Sequence, residues 1–192
     1  SQEVMEELLE HPEKLEAKGR KKELSILFVD IRSFSDYAKS VSSEKAVSDL
    51  NFTFGKLSNI ILKYNGTLDK YLGDGLLAFF GAPLEQKDHY KKAFKAAREI
   101  QELSLKERIP FKLGIGLNYG QVIVGNIGSK DRLDYTVIGT TVNKAALFVD
   151  KAKSDEIIIS KDFLEKLDKE ERNKIKGIDN LSIWEEIKNE KN

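Results

Sequence analysis

The chain has 192 residues, a length that suits one domain or one domain with an extension. It contains no cysteine, which excludes disulfides, thiolate metal sites and a cysteine nucleophile and fits a reducing compartment. Its 32 basic and 32 acidic residues balance, so no global positive field favours nucleic acid as a partner. No apolar run reaches the ~18–20 residues of a membrane span, and no signal-peptide pattern opens the sequence.

The first 22 residues are predicted to be a helix and a linker that follow an upstream region. Residues Ser1–Glu10 place apolar side chains on one stripe, and His11-Pro12 should end the helix. The helix begins without a capping signal, so we expect further sequence before it. Residues Lys14–Lys22 are predicted to be a solvated charged linker, with contact to phosphate or lipid headgroups as the alternative.

The remaining residues, 23–192, are predicted to form one α+β domain. The nearly continuous apolar run Leu24–Val29 is typical of a central strand that is covered on both faces. Gly73-Asp74-Gly75 separates two short apolar runs and predicts a tight β-hairpin. A second hairpin is predicted at Asn118-Tyr119-Gly120. Single helices alternate with hairpins along the chain, which favours α+β over a doubly wound parallel sheet.

Two long amphipathic helices are expected. The helix Glu44–Tyr64 should begin at the N-cap Ser43, and its spacing should turn Val47 and Leu62 inward. The helix Asp88–Lys106 should be capped by Asp88-His89. The other expected elements are strands at Thr67–Leu72, Leu76–Phe80, Phe111–Leu117, Val122–Ile127, Tyr135–Ile138, Ile157–Ser160 and Leu181–Glu186, a short turn or helix at Ser33–Ser42, and shorter helices at Gly139–Val149 and Lys161–Leu167.

Asp30 and Asp74 lie at the ends of predicted strands. If the hairpin that carries Asp74 packs beside Leu24–Val29, both carboxylates meet at one rim of the sheet. Two hard oxygen ligands suit Mg²⁺ when phosphate oxygens complete its coordination. A structural role is the alternative for each residue, because Asp is also a good turn residue and a good N-cap.

Four motifs in order resemble the class III nucleotide cyclase catalytic domain: FVDIRSFS, DKYLGDGLLAFFGAP, LGIGLNYGQVIVGNIG and DYTVIGTTVNKAA. The resemblance implies a ferredoxin-like βαββαβ core with extra C-terminal elements, and a homodimer of antiparallel copies that share active sites. The N-terminal SQEVMEELLEHPEKL resembles the segment before this domain in bacterial sensor cyclases, where membrane or ligand-sensing modules lie upstream. A cytoplasmic domain, in some cases part of a membrane-anchored sensor, is therefore expected.

The resemblance also implies the reaction, which is conversion of ATP to 3′,5′-cyclic AMP and pyrophosphate with two Mg²⁺ or Mn²⁺ ions. Asp30 and Asp74 would bind the ions, with the Ile31 carbonyl as a further ligand. Base choice in the family rests on the positions of Lys70 and Thr136, where a Lys donor to adenine N1 and a Thr partner for the amino group imply ATP. Outside the motif, these two would be an ordinary exposed lysine and an ordinary strand residue.

Further positions correspond to ribose and phosphate contacts in the family. Asn143 matches the asparagine that orients the ribose. Backbone amides of Ser33, Phe34 and Ser35 would bind phosphate oxygens, although Ser33 stands where the family usually has glycine. Lys176 matches a triphosphate-binding lysine, and Arg132 lies near a position where some members use an arginine on the triphosphate. In the shared site, one chain would supply the metal ligands and the other the base and ribose contacts.

Leu147 is the main departure from the family pattern. The family motif N-x-x-x-R places an arginine there, aimed at charge that develops on the α-phosphate, and losing such a donor lowers the rate by roughly 10²–10³-fold. The leucine itself would continue a packed helix face with Val142 and Ala146. Three consequences are open: another cation such as Lys144 substitutes, activity is weak, or the domain binds nucleotide or a partner and regulates without turnover.

Overall fold

The structure is a computed structural model that describes residues 19–129, 132–175 and 180–184. The predicted N-terminal helix, the start of the predicted linker and Lys176 lie outside these ranges. Among the described helices, none is long and apolar enough to cross a membrane. The elements in chain order are β1 (Arg20–Ile31), α1 (Phe34–Ser40), α2 (Ser43–Lys63), β2 (Thr67–Leu72), β3 (Gly75–Phe80), α3 (His89–Leu105), β4 (Leu113–Ser129), β5 (Arg132–Ile138), α4 (Thr140–Lys151), β6 (Glu156–Ile159), α5 (Lys161–Lys166), α6 (Lys169–Ile175) and β7 (Leu181–Ile183).

These strands form one mixed sheet in the order β2-β3-β1-β4-β6-β7, with β5 paired to the far part of β4. Both neighbours of β1 run antiparallel to it, whereas β6 is parallel to β4 and β7 is parallel to β6. The first four strands with α2 and α3 make the ferredoxin-like βαββαβ core, and the later elements extend it. The predicted α+β class is confirmed.

The central strand β1 is covered on both faces, as its apolar run predicted. Leu27 and Val29 belong to a core that includes side chains of α2 and α3. Ile26 and Phe28 point the other way and pack with side chains of α4. The strand already begins at Arg20, so the last residues of the predicted linker are β-structure.

The predicted hairpin at Asn118-Tyr119-Gly120 is wrong, because β4 is one continuous strand. Its pairing with β1 runs through the segment without a break, and Leu24 lies opposite Gly120. The turn-forming residues contact the start of α4 instead. The buried Asn118 amide donates to the Thr141 carbonyl at 2.8 Å, and a Cβ on Gly120 would lie 2.9 Å from the Thr141 hydroxyl.

The helix caps differ in detail from the prediction. Ser42, one residue earlier than predicted, caps α2 by accepting a backbone hydrogen bond. Asp88 occupies the N-cap position of α3 but makes no side-chain cap bond, and its carboxylate lies 3.5 Å from the ammonium of Lys92. Val47 and Leu62 were expected to face the core but are exposed, because the buried stripe of α2 is narrower than its apolar spacing suggests.

Helix α4 lies directly on the sheet at Gly116. A Cβ at this position would be 2.4 Å from the Ala145 carbonyl oxygen and 2.6 Å from the Val149 amide nitrogen. Both contacts are backbone atoms, so neither can rotate away. The absence of a side chain at Gly116 therefore sets how closely α4 approaches the sheet.

We predict that Gly116→Ala lowers the free energy of unfolding by about 1–3 kcal/mol, since α4 must shift to admit the methyl group. Gly55→Ala is the matched control, because Gly55 lies inside α2 with nothing within 4 Å of an added Cβ. That variant should gain about 0.5–1 kcal/mol from the lower entropy of the unfolded chain. Urea unfolding of both variants measures the difference, and equal effects would contradict the close packing of α4.

Candidate active site

Asp30 and Asp74 lie beside each other at one rim of the sheet. Asp30 is next to last in β1 and is paired with Gly75, the first residue of β3. Asp74 lies in the turn between β2 and β3, and its carbonyl accepts a hydrogen bond from the Ile31 amide at 3.2 Å. Gly73, the other turn residue, has a φ of 65°, which glycine adopts without strain. The hairpin therefore does pack beside β1, which was the condition for the two acids to meet.

Burial and charges of both signs act on the Asp30 carboxyl. Burial raises the pKa of the Asp30 carboxyl, the nearby Arg32 guanidinium opposes this rise, and the charges of Asp74 and Asp150 add to it. Asp150 comes from the last turn of α4. Three carboxylates and the Arg32 guanidinium thus act on this region, and the excess of acidic groups favours a further cation.

The donor set at this rim fits a magnesium-like ion. Carboxylates of Asp30 and Asp74 are hard oxygen donors, and Mg²⁺ usually takes only one or two protein carboxylates and completes its shell with water and phosphate. Within the described residues no group of three or more His, Asp or Glu side chains could hold a metal, so this is no closed cage. The glycine at position 75 leaves room around the Asp30 carboxylate, because an added Cβ there would lie 3.2 Å from Oδ1 of Asp30.

Arg32 links this rim to α4 and was not singled out in the sequence. Its Nη2 lies 3.0 Å from Oδ2 of Asp30 and donates to the Val149 carbonyl of α4 at 2.7 Å. Its guanidinium fills the space over Gly114, where an added Cβ would be 2.2 Å from Nη2. The arginine follows Asp30 by two residues, but only the folded chain brings α4 to it.

Lys70 and Thr136 meet within one chain. The Lys70 ammonium donates to the Thr136 hydroxyl at 3.1 Å, from β2 to β5. The same hydroxyl donates to Oδ2 of Asp69 at 2.6 Å. Sequence inspection missed Asp69, because regular strand alternation would place it on the face opposite Lys70. The two residues expected to contact the base are therefore neighbours, and a buried carboxylate holds them.

The outer face of α4 carries Asn143 and Leu147, which lie one helical turn apart and are both exposed. Leu147 is 42% exposed, so the expectation that it packs with Val142 and Ala146 is wrong. Of Val142 and Ala146, only Val142 is buried. Lys144 is also exposed, but it lies one residue from Asn143 and so points in a different direction around the helix.

The segment after β1 enters α1 through a strained residue. Ser33 has φ 59° and ψ 27°, the left-handed conformation in which glycine is favoured. This conformation explains why glycine would suit the position. Phe34 packs edge-on against Phe111 with ring centres 5.7 Å apart, while Ser35 is exposed. The Phe34 side chain thus serves the core, so any phosphate contact from this residue would use its backbone.

The last two predicted site residues are Arg132 and Lys176. Arg132 is exposed and begins β5, where it pairs with Ser129. It is four residues from Thr136 along the strand, which is roughly 13 Å at strand rise. Lys176 lies outside the described residues, so its contact with a triphosphate stays a prediction.

Residues 16–184 match the family model of the adenylate and guanylate cyclase catalytic domain. An uncharacterized protein of Mycobacterium tuberculosis strain H37Rv is 35% identical over 136 residues, which are 71% of this chain and 25% of the relative. The chain thus spans about a quarter of the length of such curated relatives.

Two solved structures share the fold and a substantial part of the sequence. The adenylyl cyclase CyaB from P. aeruginosa has a TM-score of 0.72 and 32% identity, covering 77% of this chain and 81% of that one. The guanylyl cyclase Cya2 has a TM-score of 0.67 and 35% identity, covering 77% and 79%. Relatives of both base specificities are therefore similarly close.

We predict that Arg32→Gln lowers the free energy of unfolding at pH 7 by about 1–3 kcal/mol, because the Asp30 charge and the Val149 carbonyl both lose a charged donor. Lys39→Gln is the control, since its ion pair with Asp36 is almost fully exposed and should contribute under about 0.5 kcal/mol. Urea unfolding compares the two. Equal stability of both variants would show that Arg32 does not tie β1 to α4.

Proposed function

The chain belongs to the adenylate and guanylate cyclase catalytic domain family, and we propose that it converts ATP to 3′,5′-cyclic AMP and pyrophosphate. The observation that carries the choice of ATP is the contact between Lys70 and Thr136. A lysine ammonium can only donate hydrogen bonds. It suits the N1 of adenine, which accepts, and it opposes the N1–H of guanine, which donates. The threonine oxygen lies beside it, where it can receive the adenine amino group.

We propose a homodimer with two shared sites. Large exposed apolar side chains lie on the elements that carry Lys70, Thr136 and Asn143, and such a surface favours association. These side chains are Tyr71 and Leu72 on β2, Leu133 and Ile138 on β5, and Leu147 on α4. In each shared site, one protomer would supply Asp30 and Asp74, and the other would supply the base and ribose contacts.

Asp30, Asp74 and the Ile31 carbonyl would hold two Mg²⁺ or Mn²⁺ ions, which when bound lower the pKa of the ribose 3′-hydroxyl and neutralise the triphosphate. Asn143 would orient the ribose so that its 3′-oxygen faces the α-phosphorus. The 3′-hydroxyl would lose its proton to solvent, its oxygen would bond to the α-phosphorus, and the bond to the bridging oxygen would break as pyrophosphate leaves. The protein contributes chiefly by positioning and charge stabilisation.

Phosphate binding would draw on three further places in the chain. Backbone amides of Phe34 and Ser35, in the first turn of α1, would donate hydrogen bonds to phosphate oxygens. Lys176 and Arg132 would add charge to the triphosphate. We place the domain in the cytoplasm, where ATP is available. Because the chain covers only a quarter of its curated relatives, we also propose an upstream sensor or membrane module before residues 1–22.

A second function is favoured by Leu147. Its exposed apolar side chain stands where the family pattern has a cation, beside Asn143 on α4. Without that cation, turnover should be slower by roughly 10²–10³-fold. The alternative to a slow cyclase is a domain that binds nucleotide or a partner and regulates without chemistry.

We predict that the wild-type protein forms cyclic AMP from ATP with Mg²⁺ or Mn²⁺, and that Asp74→Ala abolishes this activity by removing a metal ligand. Leu147→Arg should raise the rate roughly 10-fold or more by restoring a donor near the α-phosphate. A chromatographic assay at high protein concentration measures cyclic nucleotide from each variant.

Val47→Arg controls for the added charge, because Val47 is an exposed apolar residue of α2 and its replacement should leave the rate unchanged. Absence of cyclic nucleotide from ATP or any other nucleoside triphosphate in wild type and Leu147→Arg would overturn the enzymatic proposal. Retained nucleotide binding in that case would support the regulatory alternative.

A further inference from the structure

Asp69 lies at a β-bulge in β2. Leu68 pairs with Ala78 and Lys70 pairs with Leu77, so Asp69 is an extra residue with no partner of its own in β3. A bulge turns two successive side chains toward the same side, which a regular strand cannot do. The Asp69 side chain is only 1% exposed and reaches both Lys70 and Thr136.

The side chains of Asp69, Lys70 and Thr136 contact one another at this bulge. Oδ2 of Asp69 accepts the Thr136 hydroxyl at 2.6 Å, while Oδ1 lies 3.2 Å from the Lys70 ammonium. Lys70 in turn donates to the Thr136 oxygen at 3.1 Å. Oδ1 of Asp69 is buried and has no hydrogen bond of good geometry. The bulge therefore places the buried Asp69 carboxylate where it contacts and orients the side chains of Lys70 and Thr136.

This arrangement fixes the direction of the threonine hydroxyl. A carboxylate only accepts hydrogen bonds, and a hydroxyl has a single hydrogen to give. When that hydrogen goes to Asp69, the Thr136 oxygen can offer only lone pairs elsewhere. One lone pair faces Lys70, which leaves the second lone pair for another donor.

We propose that Asp69 is a specificity-determining positioning residue, which makes Thr136 an obligatory acceptor and so selects adenine over guanine. This inference rests on the proposed contact of Lys70 and Thr136 with the base. Adenine offers an amino donor beside the N1 acceptor, which complements an acceptor at Thr136 and a donor at Lys70. Guanine offers an oxygen acceptor beside an N1–H donor, so both positions oppose it.

The variant Asp69→Asn tests the hydroxyl direction with almost no change in shape. The carbonyl oxygen of the new amide should face the Lys70 charge, which leaves its NH₂ group toward Thr136. Thr136 then accepts from this amide and from Lys70, and its own hydrogen is free to point at the base. A donor at that position suits the guanine oxygen and opposes the adenine amino group.

The measurement is the dissociation constant of 3′-deoxy-ATP and of 3′-deoxy-GTP by calorimetry with Mg²⁺, since neither analogue can cyclise. Wild type should prefer 3′-deoxy-ATP, and Asp69→Asn should reduce the preference about 10-fold or more, the size expected for reversing one base contact. Asp88→Asn, the same change at the start of α3, should keep the wild-type ratio. Unchanged preference in Asp69→Asn, or a wild-type preference for 3′-deoxy-GTP, overturns the inference.

Coupling to the hydroxyl separates this role from a general effect on the fold. Asp69→Asn should leave the ratio unchanged in a Thr136→Val background, where no hydroxyl remains to be turned. The same drop in both backgrounds would overturn the inference. If Asp69→Asn does not fold, two variants of Thr136 replace it. Thr136→Ser should keep the preference for 3′-deoxy-ATP, and Thr136→Val should lose it. Equal ratios in these two variants would overturn the inference. The binding preference does not depend on turnover. If the preference is as expected but no cyclic AMP forms, the proposed activity is contradicted and the inference about Asp69 is not.

Discussion

The pairing of β1 with β4 is the constraint on which the rest of the structure depends. Every residue from Arg20 to Ile31 has a partner in β4, and β3 takes the other edge of β1. The pairing of β1 with β3 sets Asp30 opposite Gly75, the residue directly after Asp74. The meeting of Asp30 with Asp74 therefore follows from backbone hydrogen bonds, which are regular and hard to displace.

Much of this architecture could be predicted because its signals are local. The apolar run of β1, the glycines around Asp74 and the long amphipathic helices each depend on a few neighbouring residues. The misassigned turn at Asn118-Tyr119-Gly120 shows the limit of such signals. Those residues are typical of turns, but here Asn118 and Gly120 contact Thr141, which lies more than 20 residues later in the sequence. A local pattern cannot distinguish a turn from a strand that a distant helix end crosses.

In the candidate site, too, some residues could be predicted from local motifs and others could not. Asp30, Asp74, Lys70 and Thr136 stand out through motifs, and their roles in binding remain predictions that the geometry supports. Asp69 could not be found from alternation, since a one-residue bulge reverses the face of every later residue in a strand. It is recognised only when β5 brings Thr136 to it.

Two contacts hold α4 in place, and they bear on how to interpret Leu147. Gly116 lets the inner face of the helix touch the sheet, and Arg32 binds the Val149 carbonyl while paired with Asp30. Neither contact involves the outer face that carries Asn143. A leucine at position 147 therefore changes the charge near the proposed α-phosphate position without displacing the helix that would present an arginine there. We therefore expect any deficit in turnover to come from the side chain at position 147 and not from a displaced α4.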